Sequence, residues 1–272
     1  MRCLTVAISA VLMGSLAIFV RNVDANPIVV TFFRMTFGLL YLLPLIRFVR
    51  LNLFKNPKMI ALSFVSLMTI SFYISSIQLV EMAIAALLLY MAPVYVMLFV
   101  ILKGERVSSG SIISLILALI GLFLLLSPYG ELNVGIIFGM LSGLCYALYF
   151  IIAKDVRSFA SSIETTFITL TFSSLILIPL AVTSNVLDVF KSKAIWILGL
   201  GLIPTAIPFI LMNYGIKFCK REVAPIIALI EPVSAGIFGY LVFSEVLTIK
   251  QVVGAILTLS SVLIVVRSGI ES

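Results

Sequence analysis

Two charged side chains lie where the sequence is otherwise apolar, and they are the strongest candidates for chemistry. Glu231 stands beside Pro232 in the middle of the apolar run from Glu222 to Glu245, and Arg34 lies in a second such run. A lone charge at membrane depth costs several kcal/mol unless it is paired, protonated or hydrated, so it commonly marks a substrate or proton pathway. The alternatives are structural: a hydrogen-bonded carboxyl for Glu231, and for Arg34 a side chain that extends to the lipid headgroups.

The two side chains bind different chemical groups. An arginine fork suits a carboxylate or phosphate, and a glutamate suits an ammonium group or a proton. Counted along their helices, Arg34 lies about 10 Å from one membrane surface and Glu231 about 13 Å from the other, in a membrane of about 30 Å. We therefore predict that both face a common cavity and together bind a zwitterion such as an amino acid, with Glu231 as a site of proton exchange.

Four further polar side chains at membrane depth are candidates for substrate binding. The tyrosines among them would form an aromatic and polar pocket around a kinked helix. A polar side chain at this depth more often forms hydrogen bonds between helices or lies at the membrane interface. They are Tyr73, Tyr90, Tyr146 and Asn213.

Prolines inside the apolar runs are candidate hinge or gating residues. A proline removes a backbone donor and clashes with the carbonyl four residues before it, so a helix kinks there. The candidates are Pro93, Pro204, Pro208 and Pro232. We expect Pro204 and Pro208 near the outer end of their helix, where they would form a gate.

The composition indicates an integral membrane protein. The 272 residues are 62% hydrophobic and 11% charged, whereas a soluble domain has about 25% charged residues. The net charge of +7 comes from short loops and not from a basic face with interleaved aromatic residues, so no nucleic-acid partner is expected. The bilayer itself is the expected partner.

The residue types argue against an enzyme. Histidine is absent, which removes serine–histidine and cysteine–histidine nucleophile pairs. Asp24, Asp155 and Asp188 are expected in loops, so no catalytic acid pair forms and no catalytic residue is predicted. Cys3, Cys145 and Cys219 are scattered, which predicts neither a disulfide framework nor a metal site. There is no nucleotide-binding motif and no sign of a cofactor.

Ten apolar segments are long enough, or nearly so, to cross the membrane as helices. The predicted class is therefore an all-α integral membrane protein with ten transmembrane helices. The segments are 3–20, 28–48, 59–79, 83–102, 111–128, 134–153, 163–183, 194–216, 223–243 and 249–267.

Most of the 18 Lys and Arg residues fall on one face of the membrane when the ten segments alternate in direction. We call this face the basic end; Arg2, Arg50, Arg106, Lys154 and Arg221 lie there. Cytoplasmic loops carry an excess of Lys and Arg. The pattern predicts a multi-pass protein of the cell (inner) membrane with both termini in the cytoplasm.

The sequence repeats itself. TFFRMTFGLLYLLPL, from Thr31 to Leu45, aligns with TFITLTFSSLILIPL, from Thr166 to Leu180, and Pro93-Val94 aligns with Pro232-Val233. Five segments in each half predict two inverted repeats, 1–130 and 131–272, an arrangement typical of alternating-access transporters. The counterpart of Glu231 is Ala92, so any acidic chemistry belongs to one half.

Small residues recur every four positions in two segments. They are Gly135, Gly139, Gly143 and Ala147 in the sixth segment, and Ala10, Gly14 and, three residues later, Ala17 in the first. Such stripes are typical of close helix packing.

The chain resembles EamA-type ten-helix members of the drug/metabolite transporter superfamily. The resemblance rests on Ala92-Pro93-Val94 followed by Glu105, and on Glu231-Pro232-Val233 followed by Glu245. It covers nearly the whole chain and implies a secondary transporter that works by alternating access, without an enzymatic activity.

The resemblance leaves the substrate open, since such relatives move amino acids, sugars, nucleotide-linked metabolites, cations and drugs, usually outward. We expect an exporter of small polar metabolites such as amino acids, as a monomer or homodimer. The alternatives are a facilitator of drugs, cations or sugars without ion coupling, and a flippase for lipid-like substrates. A flippase predicts a lipid-open groove, and solute transport predicts a closed polar cavity.

Overall fold

The protein is a bundle of ten membrane-length helices, which confirms the predicted class. The computed structural model describes residues 2–127, 133–182 and 186–270, and the regular structure of these residues is helical throughout. The predicted boundary between the halves, at 130/131, lies outside the described residues. We number the helices α1 Arg2–Val23, α2 Pro27–Phe48, α3 Pro57–Ile77, α4 Met82–Leu102, α5 Ser109–Leu126, α6 Gly135–Val156, α7 Ser162–Pro179, α8 Val186–Ile216, α9 Val223–Phe243 and α10 Ile249–Arg267.

Side-chain caps mark where several helices begin. The Asn26 side chain accepts a hydrogen bond from the Ile28 amide, and the Asn56 side chain accepts from the amides of Lys58 and Met59. In each case a proline follows the cap at the first helical position, where its missing donor costs nothing. These two caps fix the first turns of α2 and α3.

Three spans are interrupted near the middle of the membrane. Helix α1 consists of Thr5–Gly14 and Leu16–Val23. Helix α4 divides into Met82–Leu89 and Ala92–Leu102, and α9 divides into Val223–Ala228 and Ile230–Phe243. In α4 and α9 the first piece ends four residues before a proline, which is where the proline ring displaces a carbonyl.

Helix α8 contains a π-helical segment, Leu202–Ala206, between the α-helical pieces Val186–Gly201 and Ile207–Ile216. Pro204 lies inside this segment and Pro208 follows it. Lys193 has non-helical backbone angles, so α8 is kinked there and its next straight piece begins at the predicted position, 194. The expectation that Pro204 and Pro208 form a gate near the outer end of this helix stays a prediction.

The helices pack as neighbours in a close bundle. Helix α5 lies along α10, α3 lies along α6, α2 contacts α7 and α8, and α1 contacts α8 and α9. Gly121 and Gly254 allow α5 and α10 to approach so closely that a Cβ atom on either glycine would overlap backbone atoms of the other helix. In the same way Gly139 and Gly143 bring α6 against Leu88 of α4.

Ion pairs join the helices at the basic end. Arg50 Nε lies 2.6 Å from a Glu164 carboxylate oxygen, which raises the pKa of Arg50 above its ordinary value. Arg221 lies 2.6 Å from Asp155 and 3.8 Å from Glu105. Asp155 is the penultimate residue of α6, and Asp188 lies in α8, so the prediction that both are in loops is wrong.

At the opposite end of the bundle, Arg21 lies 2.5 Å from Glu245, and both side chains are about half exposed. Exposed pairs of this kind contribute about 0–1 kcal/mol. This pair therefore adds little to the stability of the bundle.

Cys3 and Cys219 form a disulfide, with their Cα atoms 5.3 Å apart. The scattered cysteines predicted no disulfide, and that expectation is wrong. The spacing does not reveal this pair, because Cys3 lies in the first turn of α1 and Cys219 follows α8, and the two meet only when these helices pack side by side. The bond joins helices from opposite halves of the chain at the basic end.

Candidate functional site

Arg34 is anchored inside the bundle by α8. Its Nε donates to Thr205 Oγ1 at 3.1 Å, and its Nη2 donates to the Pro204 carbonyl at 3.2 Å. The guanidinium also lies 5.5 Å from the centre of the Phe209 ring, within the range of a cation–π interaction. The side chain therefore points to the interior and not to the lipid headgroups.

The π-helical segment explains why α8 can hold this arginine. Pro204 and Pro208 both lack a backbone donor, so carbonyls in this stretch lose their usual partners within the helix. π-Segments are rare and frequently occur at functional sites. Here the segment presents a hydroxyl and a carbonyl side by side, and together they occupy one edge of the Arg34 guanidinium.

Glu231 lies across from Arg34, at the start of the second piece of α9. The charges of the two side chains interact, and the Tyr90 hydroxyl lies within hydrogen-bonding reach of the Glu231 carboxyl. Among the described residues, the ion pairs within 4.0 Å do not include Arg34 with Glu231. The two charges attract one another across a gap.

Three tyrosines lie in the same part of the bundle as Glu231. Tyr73, Tyr90 and Tyr146 come from α3, α4 and α6, and each interacts electrostatically with Glu231. Tyr146 packs 4.9 Å from the ring of Phe150, which holds its ring in place. The structure thus brings three of the predicted tyrosines to the charged pair.

Four of these side chains are only partly buried. Arg34, Tyr73, Tyr146 and Glu231 lie within the spans, and each keeps an intermediate exposed fraction. We infer that their accessible surfaces border a cavity between Arg34 and Glu231. The wall of this cavity would carry one cation, one carboxyl and several hydroxyls.

Gly14 brings α1 against the interruption of α9. A Cβ atom at this position would lie 2.9 Å from the Glu231 carbonyl oxygen and would overlap the Ser234 hydroxyl. Ser234 Oγ donates to the Ala10 carbonyl at 3.3 Å across the same contact. The close approach supports the backbone that carries Glu231.

Asn213 takes part in a hydrogen-bond network between helices, and its role in substrate binding stays a prediction. Its Nδ2 donates to Thr166 Oγ1 at 3.1 Å and to the Phe209 carbonyl at 3.0 Å, while its Oδ1 accepts from the Tyr149 hydroxyl at 3.3 Å. Asn213 is 1% exposed. Arg157, whose pKa is lowered by burial, donates from Nε to the Asn213 carbonyl at 2.7 Å.

A separate groove opens to the lipid between α4 and α6. It has a volume of about 330 Å³ and is almost entirely apolar. Its wall consists of Tyr95, Ile137, Met140, Leu141 and Leu144. The glycine stripe of α6 packs against α3 and α4 and does not face the charged cavity.

Thr205 is the residue at this site that the sequence analysis missed. A threonine in an apolar helix is unremarkable alone, because its hydroxyl can bond its own backbone. Its position between two prolines was the available signal. No group of three or more metal-ligating side chains occurs within the described part of the chain.

Comparison with known proteins gives a family, a relative and a fold. The model of the EamA-like transporter family matches residues 1–127 and 133–267. An uncharacterized transporter of Archaeoglobus fulgidus is 44% identical over 263 residues, which cover 96% of this chain and 95% of that protein. A solved crystal structure of a protein without a functional description has a TM-score of 0.85 and 17% identity, and covers 98% of this chain and 96% of its own.

Proposed function

This chain belongs to the EamA-like transporter family, and we propose that it exports small zwitterionic metabolites such as amino acids by alternating access. It is a multi-pass membrane transporter and not an enzyme. The observation that carries the substrate class is the pair of opposite charges, Arg34 and Glu231, which interact without forming an ion pair within 4.0 Å and are both partly accessible. A molecule with a carboxylate and an ammonium group fits between them.

Arg34 offers a free edge for the carboxylate. A guanidinium has five N–H donors. The Nε and one donor of Nη2 bind Thr205 and Pro204, so both donors of Nη1 and the second donor of Nη2 remain. Two of these form the parallel fork that binds a carboxylate in bidentate fashion.

Glu231 offers the complementary group. The Tyr90 hydroxyl lies near its carboxyl, and a carboxylate has about four acceptor positions. The remaining positions suit an ammonium group. Tyr73 and Tyr146 add apolar ring surface for the rest of the substrate, which favours small molecules over large polar ones.

Unequal burial at the two ends supports alternating access. In α9 every residue from Val223 to Leu229 is buried at the basic end. In α4 the corresponding piece, Met82–Leu89, lies at the opposite end, and its buried residues are Ala85 and Ala86. The piece of α9 at the basic end is therefore packed more tightly than its counterpart in α4, an asymmetry that we expect of a transporter that alternates between two states.

We further propose that Glu231 exchanges a proton for the substrate. A carboxylate in an enclosed cavity needs a neutralising partner, either the substrate ammonium or a proton. Binding of one would release the other, and this competition is the basis of antiport. With the basic end in the cytoplasm of the inner membrane, as the Lys and Arg distribution predicts, substrate leaves the cell while protons enter.

The apolar groove between α4 and α6 makes a lipid-like substrate the second candidate. It opens to the lipid as a flippase would require, but its wall has almost no polar surface for a headgroup. A headgroup without hydrogen-bond partners would cost several kcal/mol. We rank solute transport first for this reason.

The test is uptake of a radiolabelled mixture of the standard L-amino acids into proteoliposomes, together with thermal unfolding of the purified protein in the same mixture. Wild-type protein should take up amino acids and be stabilised by them. Arg34→Ala and Glu231→Gln should each lose both effects, because each removes one partner of the zwitterion. A pH gradient should drive uptake by wild type but not by Glu231→Gln.

Arg21 and Glu245 provide matched controls, since they form an exposed pair of the same residue types. Arg21→Ala and Glu245→Gln should transport like wild type. Equal uptake by all four variants would contradict the proposed site. Uptake of fluorescent phospholipid analogues in place of amino acids would favour the second candidate.

A further inference from the structure

Thr205 is held more precisely than a packing role requires. It is fully buried, at 0% exposure. Its Oγ1 donates to the Leu200 carbonyl at 2.8 Å and accepts from Arg34 Nε at 3.1 Å. Its methyl group faces Gly38 of α2, where an added Cβ atom would lie 3.0 Å away.

The bond to Leu200 determines what the hydroxyl can offer to Arg34. A hydroxyl has one hydrogen and two acceptor positions. The hydrogen is committed to Leu200, five residues earlier, at the spacing of the π-helical segment. Only acceptor positions remain, and they face the Nε–H of the guanidinium.

This arrangement selects which edge of Arg34 faces the cavity. Thr205 and the Pro204 carbonyl together occupy the edge formed by Nε and Nη2. The edge formed by Nη1 and Nη2 is left for a ligand. Without the Thr205 acceptor the guanidinium would keep a single hydrogen bond to the protein and could rotate about it.

We propose that Thr205 is a positioning residue that makes the site select carboxylate-bearing substrates over the corresponding amines. This inference rests on the proposed function of Arg34. It assigns the π-helical segment of α8 a task in substrate discrimination. The segment orients the Arg34 guanidinium, which binds the carboxylate. Glu231 binds the ammonium group, which amino acids and amines have in common.

The experiment compares inhibition of amino-acid uptake by L-leucine and by isoamylamine, which lacks the carboxylate. Thr205→Val keeps the volume and removes the acceptor. It should raise the half-inhibiting concentration of L-leucine about fivefold, the effect of one hydrogen bond, and leave that of isoamylamine and the maximal rate unchanged. Thr205→Ser should restore the wild-type ratio.

Thr258→Val is the matched control. Thr258 is also fully buried, and its hydroxyl bonds only its own helix, at the Gly254 carbonyl, among the described contacts. A purely structural role would lower the unfolding temperature of both valine variants without changing the ratio of L-leucine to isoamylamine. If Thr205→Val does not fold, Thr205→Cys keeps a similar volume with a poor acceptor and is expected to shift the ratio in the same direction.

The outcomes separate this inference from the proposed function. An unchanged ratio in Thr205→Val, with a loss of leucine binding in Arg34→Ala, would overturn the positioning role alone. If wild-type protein takes up no amino acid, or if Arg34→Ala binds leucine normally, the proposed function fails and this inference fails with it.

Discussion

The interruptions of α4 and α9 are the same backbone feature with different chemistry. In each helix a proline, Pro93 or Pro232, follows the break by a few residues. The residue before the proline is Ala92 in α4, which is 0% exposed. In α9 it is Glu231, which faces the cavity. The break in α4 instead supplies Tyr90, whose hydroxyl reaches Glu231.

The comparison indicates that the proline determines where a helix is interrupted, and that the neighbouring side chains determine the chemistry at the interruption. A proline acts on the backbone in the same way in both helices. The surroundings differ, because the first piece of α9 is buried throughout and that of α4 is partly exposed to lipid. Exchanging residues between the two helices separates the effect of position from the effect of residue type at Ala92 and Glu231.

Moving the carboxyl from one break to the other should have the largest effect. Ala92→Glu places a charge at a site with no exposed surface, and an uncompensated buried charge costs about 3–5 kcal/mol. We expect strong destabilisation, measured as a lower midpoint of thermal unfolding. The double variant Glu231→Ala, Ala92→Glu should not regain amino-acid uptake.

Ala92→Ser is the control, since a small hydroxyl can bond its own backbone. It should lower stability only slightly. Recovery of uptake by the double variant would show that the two breaks are chemically equivalent, and that the location of the carboxyl does not matter.

The glycines behind the two breaks should show a smaller effect. Gly14 supports the break in α9, and Gly143 lies against the Leu88 carbonyl beside the break in α4. Alanine at either position would force backbones apart at a cost of about 1–3 kcal/mol. Gly14→Ala should also weaken binding of the amino-acid mixture, because Gly14 contacts the backbone of Glu231, whereas Gly143→Ala should reduce stability alone.

Gly236 is the control on α9, because a Cβ atom there would meet its nearest neighbour, Leu247, at 3.8 Å. Gly236→Ala should be neutral or slightly stabilising, since alanine favours a helix. Equal binding of amino acids by Gly14→Ala and Gly143→Ala would contradict the claim that only the interruption of α9 affects substrate binding.

The smallest effect is expected from removal of the Tyr90 hydroxyl, which extends from the interruption of α4 toward Glu231 in α9. Tyr90→Phe removes the hydroxyl that lies near Glu231. If this hydroxyl bonds the carboxyl when substrate is bound, we expect a loss of about 0.5–1.5 kcal/mol, or about 2- to 10-fold in amino-acid affinity. Equilibrium binding of a labelled amino acid measures it. Tyr240→Phe, at a side chain that is 56% exposed, should bind like wild type; an equal loss in both variants would exclude a specific contact.

Much of the fold follows from the sequence because the membrane restricts the choice. Lipid offers no hydrogen-bond partner to the backbone, so each apolar segment must be a helix. The prolines then mark the breaks of α4 and α9. The break of α1 after Gly14 is not marked by a proline. It lies where α1 packs closely against α9, and a contact between segments that are distant in the sequence leaves no local pattern to predict it from.

The charged residues of the site could be predicted from the sequence, but the residues that hold them in place could not. Arg34 and Glu231 stand out because intramembrane charge is costly. Asn213 also stands out, but its amide is used between helices, and a sequence does not show whether a polar group already has a partner. Thr205 and the pair of Arg50 with Glu164 depend on contacts across the two halves.

The disulfide between Cys3 and Cys219 makes the molecule a closed ring with one long tail. A force applied to the two ends of the chain would act through this bond and bypass everything between the two cysteines. Only the segment after Cys219, which contains α9 and α10, would extend, while α1 to α8 would carry no tension. Extraction of the protein from a bilayer by its termini would therefore remove Glu231 first and leave Arg34 behind.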